Sequence, residues 1–357
     1  MPEILLLTRY ERLGASSRVR FLQYLPALER QGFEFEVEPL LDNAYVRALY
    51  GGPPVGVAHH LTAYARRLRT LLRRRRHDLI WLEKEALPWV PAAAEALLTS
   101  GVPVVVDFDD AWFLRYEQNS HPLIRHLMSD KIDAIMRAAT IVVAGNDFIA
   151  ERARQAGARR IEIMPSVIDL DRYAPPTAVR PADPRPLIAG WIGIPLNAHY
   201  LEALAGALRA VADRVRLHIV GADAPAALAG LPVETFPWTE DSEISRIDAF
   251  DIGLMPLNDT PWERGKCAYK LLQVMAAGKP VIASPVGANR SVVRHDVNGL
   301  LAGTTEQWTE AFVRLASDPP LRWRMGQAAR DTVERDYSLA ATLPKIAAIL
   351  RDAAIRR

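Results

Sequence analysis

Cysteine is nearly absent from this chain: Cys267 is the only one in 357 residues. A single thiol forms no internal disulfide and no multi-cysteine metal centre, so stability has to come from packing, and a reducing compartment fits. Long apolar runs are missing too. None approaches the ~20 residues of a membrane span, and the opening MPEILLLTRY is too short in its apolar part and too soon charged for a secretory signal. The cytosol is the expected location. Neither charge is in real excess, since 44 Lys and Arg face 42 Asp and Glu, and residues 1–169 hold 22 basic and 21 acidic groups, as many as follow them. That balance gives no reason to expect nucleic acid as a partner. Lysine is scarce, six against 38 arginines, a bias that base composition or a hot habitat produces without function. Yet three of the six, Lys266, Lys270 and Lys279, fall close together beside the only cysteine.

What the chain does have is half its residues hydrophobic and length for two domains at roughly 100–200 residues each. Short apolar, β-branched runs alternate with helix-length amphipathic stretches, the pattern of parallel sheets wrapped by helices. The fold class is therefore α/β. In the first half strands are expected at Glu3–Thr8, Phe33–Val37, Leu79–Glu83, Val104–Asp107, Ile141–Ala144 and Ile161–Met164. Residues 170–186 carry five prolines and little periodicity, so they read as a linker. Strands resume at Leu187–Ile192, Leu217–Val220, Val233–Phe236, Asp251–Met255 and Val281–Ala283, with helices such as Leu201–Ala212 and Tyr269–Ala277 between them. The expected division is a first doubly wound domain over 1–169, a second over 187–335, and a final helical segment, 336–357, that leaves its own domain and packs on the first. Repeats at solenoid or propeller spacing are absent.

Ligands of open α/β sheets bind at the carboxyl ends of strands, where the N–H groups of the next helix are unpaired. With two such domains the expected site is the cleft between them. The first strand runs into a small-residue turn, Gly14-Ala15-Ser16-Ser17, and a helix begun near Arg18. The turn lacks G-x-G-x-x-G spacing, which argues against NAD or FAD. Gly14 and Arg18 are candidate ligand contacts, the alternative being a helix cap by Ser16 or Ser17. The strand at Val104 ends in Asp107-Phe108-Asp109-Asp110-Ala111-Trp112. One or two of these acids are expected to cap the next helix or hold basic neighbours, while Asp109 or Asp110 meets a polar substrate. His121, in QNSHP, either acts from the acceptor side or faces water. In the second domain Trp191 and Gly193 lie at the end of the first strand, where the glycines serve either a ligand or packing. The strongest segment is Asp259–Leu301. There a loop with Arg264, Gly265 and Lys266 runs into a helix begun at Cys267, so that Lys266 and Lys270, four apart, share one face and reach one phosphate group.

This segment resembles the retaining, nucleotide-sugar-dependent glycosyltransferases of family 4. The resemblance rests on LLQVMAAGKPVIASPVGANRSVV followed by VNGLL, on Gly145-Asn146 after a strand, and on MPSVID at 164–169. It implies the GT-B fold of two facing Rossmann-like domains with a C-terminal helix crossing back, a nucleotide diphosphate sugar as co-substrate, and no metal or other cofactor. It also places Asn146, Gly265, Gln273 and Gly287 among donor-binding residues, which join Arg264 of the basic loop. One departure is plain: the family's E-x7-E pair falls on Gly265 and Gln273, so neither carboxylate is present, although Glu263 lies close. The usual Arg and Lys after the second domain's first strand are also missing from Trp191–Tyr200.

On this reading Lys266 and Lys270 stabilise the leaving diphosphate, Gln273 and Gly193 hold nucleoside, and Asp109 or Asp110 serves the hydroxyl acceptor, be it a glycan, a lipid-linked sugar or a small molecule. The alternatives are a non-catalytic partner subunit of the same fold and a sugar-nucleotide epimerase or phosphorylase. Seven arginines lie between Arg66 and Arg76, and removing them leaves 37 basic against 42 acidic groups. They form either a solvated face or a contact with an anionic membrane surface, which would make the protein peripheral at the inner membrane face. Leu61, Tyr64, Leu68 and Leu71 or Leu72 form a stripe expected to pack on the first domain.

Overall fold

The computed structural model describes residues 2–175 and 185–355. Most of the expected linker, residues 176–184, lies outside the described residues. The chain divides into two compact units: Met1–Ser166 with Gly265–Cys267 and Thr342–Arg357, and Val167–Arg264 with Ala268–Ala341.

The first unit is built on six strands, β1 Glu3–Leu7, β2 Glu34–Val37, β3 Leu79–Glu83, β4 Val104–Phe108, β5 Ile141–Ala144 and β6 Ile161–Ile163. They are all parallel, in the order β2-β1-β3-β4-β5-β6. Helices cover the sheet, so β3 and β5 are buried along their whole length, which is why they appear in the sequence as continuous rather than alternating apolar runs. The strand order reverses between β1 and β3, and the crevice at the carboxyl ends there is where such sheets take their ligands. The final helix, Leu339–Ile355, belongs to this unit from Thr342 on. Tyr24 Oη lies 2.9 Å from Thr342 Oγ1, and Lys345 Nζ donates to the Ile163 carbonyl at 2.8 Å.

The second unit repeats the plan with β7 Leu187–Ile192, β8 Val215–Val220, β9 Val233–Phe236, β10 Ile252–Met255, β11 Val281–Ala283 and β12 Gly299–Leu301. The order is β12-β11-β10-β7-β8-β9, again parallel, with the reversal between β7 and β10. Strand β12 went unseen in the sequence because three residues opening on glycine are too short to show a period. The helix expected over Leu201–Ala212 is a 3-10 stretch, Pro195–Leu204, followed by an α-helix, Ala205–Ala210. At the end of the linker Arg185 pairs through both terminal nitrogens with Asp251, at 2.8 and 3.1 Å.

The long helix Val57–Arg73 corrects one expectation. Its buried face is Ala63, Arg67, Thr70 and Leu71, with Tyr64 half-buried, whereas Leu61, Leu68 and Leu72 are 66%, 41% and 65% exposed. The cause is Arg67. Its Nη2 donates to the carbonyls of Thr8 and Glu38 at 2.6 and 2.8 Å, satisfying backbone groups beyond the ends of β1 and β2, and this turns the leucines outward. Burial pushes the Arg67 guanidinium down to about 10, so it stays charged at neutral pH.

Candidate active site

The carboxyl ends of β1, β3 and β4 carry a density of buried charge, of which Glu83, Lys84 and Glu85 were not among the expected site residues. Strand β3 runs directly into Glu83-Lys84-Glu85, each at most 4% exposed. Both oxygens of Glu83 are taken, by Ser16 Oγ at 2.7 Å on one side and by Ser17 Oγ at 2.6 Å and the Arg9 backbone N–H at 2.8 Å on the other. Ser16 Oγ is also 2.7 Å from Asp109 Oδ2, and since a hydroxyl bears one proton it donates to only one of the two acids at a time. The two serines are therefore not helix caps; the short helix Ala15–Ser17 starts on Gly14 without a side-chain cap, and a π-turn, Arg18–Leu22, follows it.

Lys84 joins the acids. Its Nζ is 2.7 Å from Asp109 Oδ1 and 3.6 Å from Asp110 Oδ2, and its backbone is left-handed, φ 62°. Burial opposes the Lys84 charge, but Asp109, Asp110 and Glu83 hold the ammonium well above its ordinary range. Burial likewise raises the Asp109 carboxyl, while Lys84, Arg20 and Ser16 bring it below the usual range. Asp110 differs: burial and the Asp109 charge push it up to about 6, against Lys84 and Lys266. Its side chain is 31% exposed, against 15% for Asp109. Asp107 is occupied by Arg20, whose Nε and Nη2 each donate at 2.9 Å, a bidentate pair. None of these acids caps the helix Leu114–Glu117, whose start has no side-chain bond; they hold basic groups instead.

The segment Gly265–Cys267 belongs to this same unit. Asn146, which caps the helix Asp147–Gln155 by accepting from Ile149 N at 2.9 Å, donates through Nδ2 to the Lys266 carbonyl at 3.0 Å. The Cys267 thiol donates to the Asp109 carbonyl at 2.9 Å, and burial pushes that thiol well up. Two glycines make room: a Cβ on Gly145 would stand 2.3 Å from Cys267 Sγ, and one on Gly265 would stand 2.5 Å from Ala111 Cβ. The expected helix from Cys267 is corrected accordingly. Ala268 is left-handed, φ 54°, and the helix runs Tyr269–Ala276, so Lys266 lies outside it and shares no helix face with Lys270. Pinning of 265–267 against β4 and β5 is what delays the helix.

In the second unit Lys270 stands in the first turn of that helix and its Nζ donates to Gln273 Oε1 at 3.1 Å. Gln273 is fully buried, so its carbonyl oxygen serves Lys270 rather than an open surface. Glu263 is buried, accepting from Tyr200 Oη at 2.5 Å and from Thr260. Arg264 is half-exposed and pairs with Asp259 at 2.6 Å. Gly287 is left-handed, φ 50°, and a Cβ there would meet the Arg264 carbonyl at 2.7 Å. Trp191 is 5% exposed and its ring fills the place where Gly193 would carry a Cβ, 2.2 Å away. Gly14 in the same way faces the Tyr10 side chain at 2.3 Å, and Arg18 Nη1 donates to the Arg12 carbonyl at 3.1 Å. His121 is exposed at the start of the helix Pro122–Met128 and makes no capping bond through its ring.

Residues 6–166 match the family model "Glycosyl transferase 4-like domain", and residues 186–318 match "Glycosyl transferases group 1". The chain belongs to the group 1 glycosyl transferases. Its fold is GT-B, as in the solved structure of Anabaena Alr3699/HepE in complex with UDP and glucose, with a TM-score of 0.72, 18% identity and 98% and 100% of the two chains covered. Sucrose-phosphate synthase from Thermosynechococcus elongatus is similar at a TM-score of 0.74, with 16% identity and 100% of both chains covered. In sequence, D-inositol 3-phosphate glycosyltransferase of Xylanimonas cellulosilytica is 26% identical over 243 residues, 57% of each protein. The chain thus spans little more than half the length of that curated relative. For a group 1 transferase, the Glu83–Lys84–Asp109–Asp110 cluster at the carboxyl ends of β3 and β4 and Lys270 in the first turn of its helix are candidate sites.

Proposed function

We propose that this transferase moves a sugar from a nucleotide diphosphate sugar to a hydroxyl acceptor, with retention at the anomeric carbon and without a metal. The observation that carries the reading is Lys270 in the first turn of the helix Tyr269–Ala276, inside the group 1 match. The positive end of that helix and a cation together suit the charge that grows on a leaving diphosphate. Among the described residues no group of His, Cys, Asp and Glu is set to hold a metal ion. In the step itself the acceptor oxygen bonds to the anomeric carbon, the bond from that carbon to phosphate oxygen breaks, and the diphosphate leaves with the electron pair. The acceptor proton passes to a carboxylate. Asp109 is engaged with Lys84 and Ser16, so that role falls to Asp110, whose value near 6 leaves it ionised at neutral pH.

Thermal unfolding with UDP, GDP, dTDP and ADP sugars separates this reading from that of a non-catalytic subunit. A donor at 100 times its dissociation constant stabilises by about 2.7 kcal/mol, and no shift with any of them would favour the subunit. In the transfer assay kcat/KM rises with pH through about 6, the position of Asp110. The rise disappears in Asp110→Asn. Stability moves the other way. A carboxyl raised in the folded state binds its proton more tightly there than in the unfolded chain, so it costs stability as pH rises from about 4 to 6. Asp110→Asn is therefore more stable than the parent at pH 8, by about 1–2 kcal/mol after solvent screening. An unchanged activity profile would remove Asp110 from the reaction.

The reading extends to an anionic membrane surface as a partner. Of the seven arginines in 66–76, Arg66 donates to the carbonyls of Pro39 and Leu40, Arg67 is buried, and Arg74 donates to those of Ser100, Leu97 and Leu71. Arg69, Arg73, Arg75 and Arg76 are exposed, together with Leu61, Leu68 and Leu72. Apolar side chains flanked by arginines, with no acid on the helix, match a surface-lying rather than a spanning helix; no helix among the described residues is long and apolar enough to cross a membrane. Flotation with phosphatidylglycerol vesicles but not with phosphatidylcholine supports the contact, and equal flotation with both contradicts it.

A further inference from the structure

The loop that follows β3, residues 84–91, is held more firmly than a connection requires. The buried Glu95 accepts from Ala86 N at 2.6 Å, Lys131 Nζ donates to the Leu87 carbonyl at 2.7 Å, and Tyr64 Oη donates to the Pro88 carbonyl at 2.9 Å. Trp89 N donates to Tyr116 Oη at 3.2 Å. Against all this bonding the loop keeps two non-glycine residues in the left-handed region, Lys84 at φ 62° and Trp89 at φ 63°. Such strain persists only where the surroundings over-determine it, and it gathers at sites of function. Its product is an aromatic ring turned outward: Trp89 is 43% exposed.

The ring does not stand alone. The Arg115 guanidinium lies 4.9 Å from the Trp89 ring and 4.8 Å from that of Trp112. Trp112 in turn has Lys84 at 4.7 Å and Arg9 at 4.6 Å, and Lys84 is the cation that holds Asp109. Rings and cations therefore form one ladder across the carboxyl ends of β1, β3 and β4. Strands spaced ~4.8 Å apart make that edge about 10 Å wide, more than one sugar ring.

We infer that Trp89 is the stacking platform of an acceptor subsite for oligosaccharides built of pyranose rings. A pyranose offers a C–H face to an aromatic ring and hydroxyls around its rim. An exposed, rigid aromatic with a guanidinium at its border suits both. An acyl chain needs continuous apolar surface, and the Trp89 ring is bordered instead by the Arg115 guanidinium at 4.9 Å and the edge-on Tyr116 ring at 5.3 Å. This inference rests on the transferase reading above for the word acceptor, but not for the binding itself.

The test uses the full chain and its Trp89→Ala and Trp89→Phe variants on an array of gluco-, manno- and galacto-configured oligosaccharides, with the donor-induced thermal shift measured alongside. The expected result is that the parent retains at least one class of oligosaccharide, that Trp89→Ala weakens it by roughly tenfold or more, as loss of an aromatic stack does, and that Trp89→Phe keeps most of it. Donor shifts stay equal in all three proteins. Failure of the parent to retain any oligosaccharide, or equal retention by Trp89→Ala, overturns the inference while leaving the donor result to judge the transferase reading. Glycan binding that depends on Trp89 without any donor shift keeps the subsite and removes the transferase reading.

Discussion

Lys270→Ala lowers turnover on a nucleotide diphosphate sugar by about 100- to 1,000-fold, the loss that follows removal of one preorganised partner of a developing anion. On the proposed reading Lys270 gains most when the bond to the diphosphate breaks, because only then would full negative charge accumulate near its ammonium. The loss therefore falls on kcat more than on KM. The fold should tolerate the change. Lys270 is half-buried, and the bond that Gln273 loses with it, 3.1 Å in the parent, is worth about 1 kcal/mol. Lys270→Arg restores part of the rate, since the charge returns on a longer, planar head. Turnover equal to that of the parent would remove Lys270 from the reaction.

Lys84→Met is expected to be the most destabilising single change in the first unit. It leaves Glu83, Asp109 and Asp110 around a neutral side chain, and breaking a buried pair by removing one partner costs about 3–5 kcal/mol. Denaturant unfolding at pH 7 measures it. Its pH dependence has a definite sign. Asp109 lies below its ordinary value in the parent, so it contributes stability above about pH 4 that is lost as pH falls through its folded value. The gap between parent and Lys84→Met therefore narrows in acid. A second change, Asp109→Asn, recovers part of the loss at neutral pH, because the two residues are in contact and their effects do not add. A gap as wide at pH 3 as at pH 7 would mean that Lys84 acts by packing and not by charge.

The sheets were legible because parallel strands buried on both faces must be apolar runs: Leu79–Glu83 and Ile141–Ala144 are found where their composition puts them. Three-residue β12 and the 3-10 stretch at Pro195 carry too little period for that. The site was legible unevenly. Scarcity of lysine marks Lys266 and Lys270, but it marks Lys84 and Lys131 equally, both buried in ion networks at strand ends. An apolar strand entering Glu-Lys-Glu was the available signal for the first of them. Partners such as Ser16 and Asp109, 93 residues apart, meet only through the sheet order. The helix beginning at 269 rather than 267 depends on Gly145, Asn146 and Asp109, which lie more than 100 residues upstream. The outward leucines of Val57–Arg73 follow from one arginine finding two carbonyls, which a hydrophobic stripe cannot anticipate.

The most direct test is transfer itself. The full chain is incubated with each nucleotide diphosphate sugar in the presence of the oligosaccharides retained on the array, and nucleoside diphosphate release is followed with NMR of the new anomeric centre. The predicted result is release of one nucleoside diphosphate in step with a new glycosidic bond of the donor's own anomeric configuration, lost in Lys270→Ala. Release of nothing from any donor, or a donor sugar epimerised without an acceptor, would contradict it.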